Sequence, residues 1–258
     1  MNSEEKQSVE PSKKEQKKLK KAQRKAEKKK KKQAVRLFPA NKKGKHVMKL
    51  MNFMRVICYP VHYFLYPFKM FGHKKVGLGA YIYVGNHYSL WDIFYPGHTT
   101  WEGVHFVTKE SVMHMPFVGF FARRFGAISV MRDGSDIRAL MDAMKVLKNG
   151  EKISLYPEGT RNRGDGEEFL PFHGGAALMT IKTHTPLVPI VVCNKPRLFH
   201  KTHVVVGEPF ELTEYYDRKL TQDDYSMADD VIRDKLYALR AEHRAQLQAK
   251  KEKRKRKK

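Results

Sequence analysis

A histidine and an aspartate stand five residues apart in the stretch NHYSLWD, positions 86–92. An imidazole is a suitable general base near neutral pH, so His87 is a candidate for that role. A carboxylate on Asp92 could hold one ring nitrogen, fix the tautomer and stabilise the imidazolium once it forms. Taken alone, the pair favours a simpler interpretation, a histidine packed beside a strand, because short motifs often occur by chance.

A second polar stretch, YPEGTRNRG at positions 156–164, also follows an apolar run. Gly159 permits a tight backbone path, and Arg161 and Arg163 offer the forked donors that suit a phosphate. Glu158 and Thr160 complete the group of polar candidates in this stretch. The simpler alternative is a surface turn that contains a Glu–Arg pair.

Two further cations, Lys109 and Arg132, come at the ends of the apolar runs VHFVT and AISVM. The carboxyl ends of parallel strands meet at one edge of a sheet, where α/β folds place their sites. We therefore expect the four polar loops to form one basic site. Such a site suits a phosphate-bearing substrate whose hydroxyl is to be deprotonated.

The elements that must position these residues are short apolar runs separated by helical patterns. The expected strands are AYIYV, VHFVT, AISVM, KISLY, PLVPIVV and HVVVG. The expected helices are SDIRALMDAMKVLKNG, which Ser135 can cap, GGAALMTIKTH, and a charged last helix over residues 227–248. This alternation predicts an α/β fold with a mostly parallel central sheet flanked by helices.

The segment over residues 46–72 is apolar and aromatic on one side of a helical wheel. Its uncharged core, Val56 to Phe68, has 13 residues and contains Pro60 and Pro67. A spanning helix needs about 20 apolar residues, so no conventional transmembrane helix is expected. The pattern predicts two short amphipathic helices in a membrane interface, with packing on the chain's own domain as the alternative.

The charge is concentrated at the two ends of the 258-residue chain, whose net charge is +24. Residues 1–32 carry +9, the last nine residues +7 and the middle +8. Such blocks either solubilise the protein or attract it to an anionic surface such as lipid headgroups, RNA or an acidic carrier protein. Two cysteines without metal spacing fit a reducing, intracellular setting, and no signal peptide is expected.

These patterns divide the chain into five parts. The predicted parts are a basic tail (1–32), an amphipathic membrane-interface segment (33–75), a catalytic domain (76–215), a C-terminal helical region (216–249) and a second basic tail (250–258).

Four blocks in this order resemble those of the glycerolipid acyltransferases, typified by 1-acyl-sn-glycerol-3-phosphate acyltransferase. The family blocks are N-H-x-S-x-x-D, a lysine followed by G-A-I-x-V-x-R, F-P-E-G-T-R, and a V-P-I-V-P-like strand. Here they are Asn86–Asp92, Lys109 with Gly126–Arg132, Tyr156–Arg161, and TPLVPIVV at 185–192. One departure is LPFHGG, with His173 and Gly174 where the family often has two lysines, which leaves the acceptor headgroup open.

The resemblance implies an O-acyltransferase of phospholipid biosynthesis that converts 1-acyl-sn-glycerol 3-phosphate into phosphatidate. It implies that His87 and Asp92 are catalytic and that transfer is direct, without an acyl-enzyme. The substrate-binding residues implied are Glu158, Gly159, Thr160 and Arg161, assisted by Lys109 and Arg132. No metal or bound cofactor is expected, since acyl-CoA or acyl carrier protein (acyl-ACP) serves as co-substrate. The enzyme is expected as a peripheral or monotopic protein on the cytoplasmic face of a membrane, in contact with anionic lipids.

Two alternatives stay open at this point. The first is a related acyltransferase with another acceptor, such as glycerol 3-phosphate, another lysophospholipid or an amino-acid lipid. The second is a nucleic-acid- or ribosome-binding protein, suggested by the basic tails alone. Because the middle of the chain resembles no nucleic-acid module, nucleic acid is not expected as a partner.

Overall fold

The computed structural model describes residue 53 and residues 56–130, 137–164, 166–173 and 175–256. Seven strands form one sheet in the order β1-β7-β6-β2-β5-β3-β4. The strands are β1 Phe68–Gly72, β2 Ile82–Gly85, β3 Val104–Lys109, β4 Ile128–Val130, β5 Lys152–Leu155, β6 Leu187–Val192 and β7 Thr202–Val206. Neighbouring strands are parallel except β6 and β7, so the predicted mostly parallel sheet is confirmed.

The sheet is flanked by helices on both faces, as the sequence predicts. The α-helices are α1 at 56–65, α2 Glu110–Met113, α3 Val118–Arg124, α4 Ile137–Lys148, α5 Gly175–Thr183 and α6 Gln222–Lys255. Three short 3₁₀ helices are Leu90–Phe94, Pro96–His98 and Thr213–Tyr215. Within the described residues, no helix is both long enough and apolar enough to cross a bilayer.

Side chains from the central strands alternate between two apolar cores, one on each face. Ile82 and Val84 point to the core that α4, α5 and α6 cover, whereas Tyr83 between them points to the opposite core. All four residues of β2 and all six of β6 are buried. Strands covered on both faces read as continuous apolar runs, which is why these two were predicted correctly.

The segment before residue 76 differs from its sequence prediction. Only one helix, α1, is described there, and the second predicted interfacial helix is instead strand β1, paired with β7 from Phe68 opposite Thr202 to Gly72 opposite Val206. Pro67 explains the change, because a proline disfavours helical geometry in the residue before it and cannot continue the α1 hydrogen-bond ladder.

The last helix is longer than predicted. It begins after Thr221, whose hydroxyl and Asp224 form a capping box, and runs for 34 residues. Its first half packs on the sheet, and residues 248–256 at its basic end are all exposed. Ser135, the predicted cap of α4, lies outside the described residues.

Candidate active site

The His87 and Asp92 side chains meet just beyond the carboxyl end of β2. Nδ1 of His87 lies 2.9 Å from Oδ2 of Asp92. The same carboxylate oxygen accepts hydrogen bonds from the backbone N–H groups of Tyr88, at 2.6 Å, and Ser89, at 2.7 Å. Ser89 caps the 3₁₀ helix that carries Asp92, so the five-residue spacing folds the chain back on itself. The spacing noted in the sequence therefore produces a His–Asp pair.

This geometry assigns distinct roles to the two ring nitrogens of His87. A carboxylate bonded to Nδ1 keeps the proton on that nitrogen and leaves the lone pair on Nε2. The ring also stacks on Tyr156, with centroids 4.5 Å apart and planes 19° from parallel. Asp92 is almost completely buried, so its charge acts on the imidazole with little screening by solvent.

The backbone of His87 is held from both sides by the loop after β5. Its N–H donates to Oε1 of Glu158 at 3.0 Å, and its carbonyl accepts from the N–H of Asn162 at 2.6 Å. The other oxygen of Glu158 accepts from the N–H of Leu170 at 3.1 Å. Burial raises the pKa of the Glu158 carboxyl, while the two backbone hydrogen bonds oppose that shift.

Asn86 ties the start of the same loop to β6. Its side-chain amide donates to the carbonyl of Val192 at 3.0 Å and accepts from the Val192 N–H at 2.9 Å. The amide therefore continues the hydrogen-bond ladder where β2 has already ended. Sequence analysis assigned Asn86 no role. A structural role could have been predicted from its position directly after a buried strand, because a buried polar side chain needs hydrogen-bond partners.

A cavity of about 610 Å³ opens in front of His87. Five predicted site residues line it: His87, Lys109, Gly159, Thr160 and Arg161. Five further polar residues line it, namely Thr108, Ser111, Tyr156, Arg163 and His173. The apolar lining comprises Val107, Val112, Met115, Ile128, Val130, Leu140, Leu155 and Met179, among others.

The remaining predicted site residues lie elsewhere. Asp92 and Glu158 are buried and hold His87 by its side chain and its backbone, respectively. Arg132 lies outside the described residues, as does Gly174. His173 stands beside the turn at Gly159, whose φ is +62° and where an added Cβ would lie 3.0 Å from Cδ2 of His173.

The cavity combines a basic surface with an apolar one. Basic side chains and a general-base candidate suit an anionic group next to a hydroxyl, whereas the apolar lining suits a hydrocarbon chain. The arrangement therefore fits an amphiphilic ligand. In the described residues, no three His, Cys, Asp or Glu side chains converge to form a metal site.

Comparison with known proteins finds that this chain is similar to acyltransferases. Residues 69–193 match a family model described as acyltransferase. A 1-acyl-sn-glycerol-3-phosphate acyltransferase from Saccharomyces cerevisiae is 31% identical over 158 residues, which are 59% of this chain and 48% of that protein. One from Helicobacter pylori is 34% identical over 137 residues, 49% and 55% of the two chains. The chain thus spans about half the length of the curated relatives it matches.

A solved structure supports the same fold. The crystal structure of the 1-acyl-sn-glycerophosphate acyltransferase from Thermotoga maritima superposes with a TM-score of 0.55 at 22% identity, over 76% of this chain and 81% of that one. The family match over residues 69–193 includes all four sequence blocks completely. The resemblance drawn from the motifs is confirmed.

Proposed function

We propose that this chain, which has the fold and the sequence blocks of the glycerolipid acyltransferases, moves a fatty acyl group from an acyl thioester to the free hydroxyl of 1-acyl-sn-glycerol 3-phosphate. The observation that carries the proposal is the His87–Asp92 pair at the wall of a cavity with both basic and apolar linings. The relatives named for this reaction support it.

The chemistry follows from the two ring nitrogens of His87. Nε2 takes the proton of the acceptor hydroxyl as its oxygen attacks the thioester carbonyl carbon. Asp92 stabilises the imidazolium that forms. The C–S bond then breaks, and the imidazolium returns the proton to the departing thiolate, so that a new ester and a free thiol result. The acyl group passes directly between substrates, and acyl-CoA or acyl-ACP is the donor.

Different residues of the cavity wall are proposed to bind the phosphate and the acyl chain. Arg161, Lys109 and Thr160 line the cavity and are proposed to bind the acceptor phosphate, with Arg132 assisting. Gly159 allows the backbone to turn there, and Glu158 holds the loop. The apolar residues of the lining accommodate the acyl chain.

A related acceptor is the second candidate function. His173 lines the cavity where the family pattern often has a lysine, so one cation is replaced by a titratable ring. This difference affects the headgroup more than the reaction. Glycerol 3-phosphate, other lysophospholipids and amino-acid lipids are therefore the acceptors to compare.

The proposed setting is the cytoplasmic face of a membrane, where both the lipid acceptor and its product reside. Helix α1 supports this setting, because Val56, Ile57, Val61 and Phe64 are all at least half exposed. Apolar and aromatic side chains on the outer face of an amphipathic helix are suited to a bilayer interface.

The proposal is tested by acyl transfer from a long-chain acyl-CoA to 1-acyl-sn-glycerol 3-phosphate in detergent micelles. Wild type is expected to make phosphatidate, and His87→Ala is expected to lose roughly 10²- to 10⁴-fold in rate, the usual contribution of a general base. Circular dichroism checks that the variant is folded. Equal activity of the two proteins refutes the mechanism, whereas two inactive proteins redirect the search to other acceptors.

A further inference from the structure

The α2–α3 segment carries the densest group of exposed apolar side chains in the described part of the chain. Five of the seven residues from 115 to 121 belong to it. Their exposed fractions are 53% for Met115, 82% for Phe117, 53% for Val118, 56% for Phe120 and 39% for Phe121. Single exposed apolar residues are ordinary on a protein surface, but a contiguous group of them marks an interaction site.

The backbone of this segment is held in a shape that keeps the group exposed. Gly119 approaches α2 so closely that an added Cβ would lie 2.2 Å from the carbonyl oxygen of Met113. Phe117 has φ +60°, a conformation that costs free energy for a residue other than glycine, and its ring is the most exposed of the five. The exposure is thus a property of a folded hairpin.

The exposed group is continuous with the substrate cavity. Val112 and Met115 line that cavity together with His87, and Met115 is also half exposed on the outer surface. A lipid chain in contact with the outside of the hairpin therefore needs only to pass Met115 to reach the apolar lining.

The hairpin also lies away from α1. It connects β3 to β4 at one edge of the sheet, whereas α1 leads into β1 at the opposite edge. Lys109 and Arg123, both exposed, flank the apolar group. Cations beside aromatic and apolar side chains favour an anionic bilayer surface.

We propose that the α2–α3 hairpin is a second membrane contact, which inserts Phe117 and Phe120 into the bilayer interface and opens the cavity directly to lipid chains. This inference rests on the proposed function, because it names the route by which that site receives its substrate. Helix α1 contacts Trp91, four residues after His87, and the hairpin residue Met115 lines the cavity together with His87.

The test compares the double variant F117S/F120S with L78S in sedimentation with vesicles of phosphatidylcholine that contain phosphatidate. Leu78 is 64% exposed but precedes β2, so it lies at the amino ends of the parallel strands, away from His87. We expect the double variant to bind vesicles at least about tenfold more weakly than wild type, because an aromatic side chain that inserts into the bilayer interface contributes strongly to binding. L78S is expected to bind as wild type does.

Two further measurements separate this inference from the proposed reaction. Thermal unfolding checks that each variant is folded, and transfer to an acceptor in detergent micelles is expected to persist in F117S/F120S while transfer on vesicles falls. Vesicle binding is measured without catalysis. If wild type binds vesicles but transfers no acyl group, the proposed reaction is refuted and the membrane contact stands. Unchanged vesicle affinity of F117S/F120S overturns the inference, as does a wild-type dimer that this variant dissociates.

Discussion

Individual residues divide into those that face the cavity and those that fix His87 in place. Asp92 lies five residues from His87, so local spacing made their contact a candidate, and the family resemblance implied its catalytic role. Glu158 was predicted to bind substrate, yet its two oxygens accept hydrogen bonds from the backbone N–H groups of His87 and Leu170. The geometry therefore favours a positioning role for Glu158, which remains a proposal.

Glu158→Gln tests that role. The amide nitrogen of glutamine would face a backbone N–H donor, so one of the two hydrogen bonds is lost and His87 is held less firmly. We expect kcat to fall about 10- to 100-fold, because small displacements of a reacting group are costly. The KM for the lipid acceptor is expected to change little. A large rise in KM at nearly constant kcat would instead assign Glu158 to the headgroup.

Sequence analysis predicted which residues lie close together better than it predicted their hydrogen-bond partners. His87, Lys109, Gly159, Thr160 and Arg161 were all predicted at strand ends, and they line one cavity. Local spacing and the polar loops after apolar runs carried that information. The contacts of Asn86 and Glu158 span 106 and 71 residues, and no local pattern encodes a partner at that distance.

At the scale of elements, α1 is joined to the 3₁₀ helix Leu90–Phe94 through a group of stacked rings. His62 is fully buried, and its ring lies 5.2 Å from Trp91 and 5.6 Å from Phe68 between ring centroids. Trp91 belongs to the 3₁₀ helix that carries Asp92. In the described part of the chain, neither ring nitrogen of His62 has a hydrogen-bond partner. Burial therefore lowers its pKa from 6.5 to about 4.

This pKa predicts an acid-sensitive contact. The unfolded chain protonates His62 below about pH 6.5, whereas the folded protein resists protonation until about pH 4. Above pH 6.5 His62 is neutral in both states, so its titration takes nothing from the free energy of unfolding. It decreases as the pH falls to 4, by about 3 kcal/mol at most. Urea unfolding of wild type and His62→Phe at pH 7 and pH 5 measures the difference between the two proteins.

His62→Phe is expected to lose less stability than wild type between those two pH values. The comparison between the proteins cancels the contribution of other titrating groups. A pH dependence identical in both proteins would show that His62 is not the cause.

Elements covered on both faces were predicted well, because burial makes their sequences unambiguous. The wrong prediction concerns a strand at the edge of the sheet. Strand β1 pairs with β7 alone and retains an aromatic, partly exposed sequence that resembles an amphipathic helix. A strand of this kind is recognised only when its partner is known, and that partner lies more than a hundred residues later.

At the scale of the whole molecule, positive charge is the dominant feature. Residues 1–32 carry +9 of the net +24, and the exposed end of α6 adds a further basic surface. Residues 1–32 lie outside the described part of the chain, so their role is argued from charge alone. Each basic residue near an anionic bilayer contributes about 1 kcal/mol at low salt.

Deletion of residues 1–32 is expected to weaken binding to anionic vesicles at least about tenfold at low salt, and the difference should disappear when salt screens the charges. Turnover with micellar substrates should be unchanged. Vesicle sedimentation at two salt concentrations measures this effect. Unchanged association with vesicles at low salt would show that the tail has a solubilising role only. In a separate measurement, tight RNA binding that survives His87→Ala would favour the nucleic-acid alternative.

The bond between Asn86 and Val192 has a consequence for synthesis of the protein on the ribosome. The His–Asp pair can form within a few residues, but its orientation depends on a strand 106 residues further along the chain. Such distant contacts form slowly, and only after the later segment has left the ribosome. For the proposed acyl transfer, a nascent chain is expected to be inactive until β6 has paired with β2, so the onset of activity should coincide with the folding of β6.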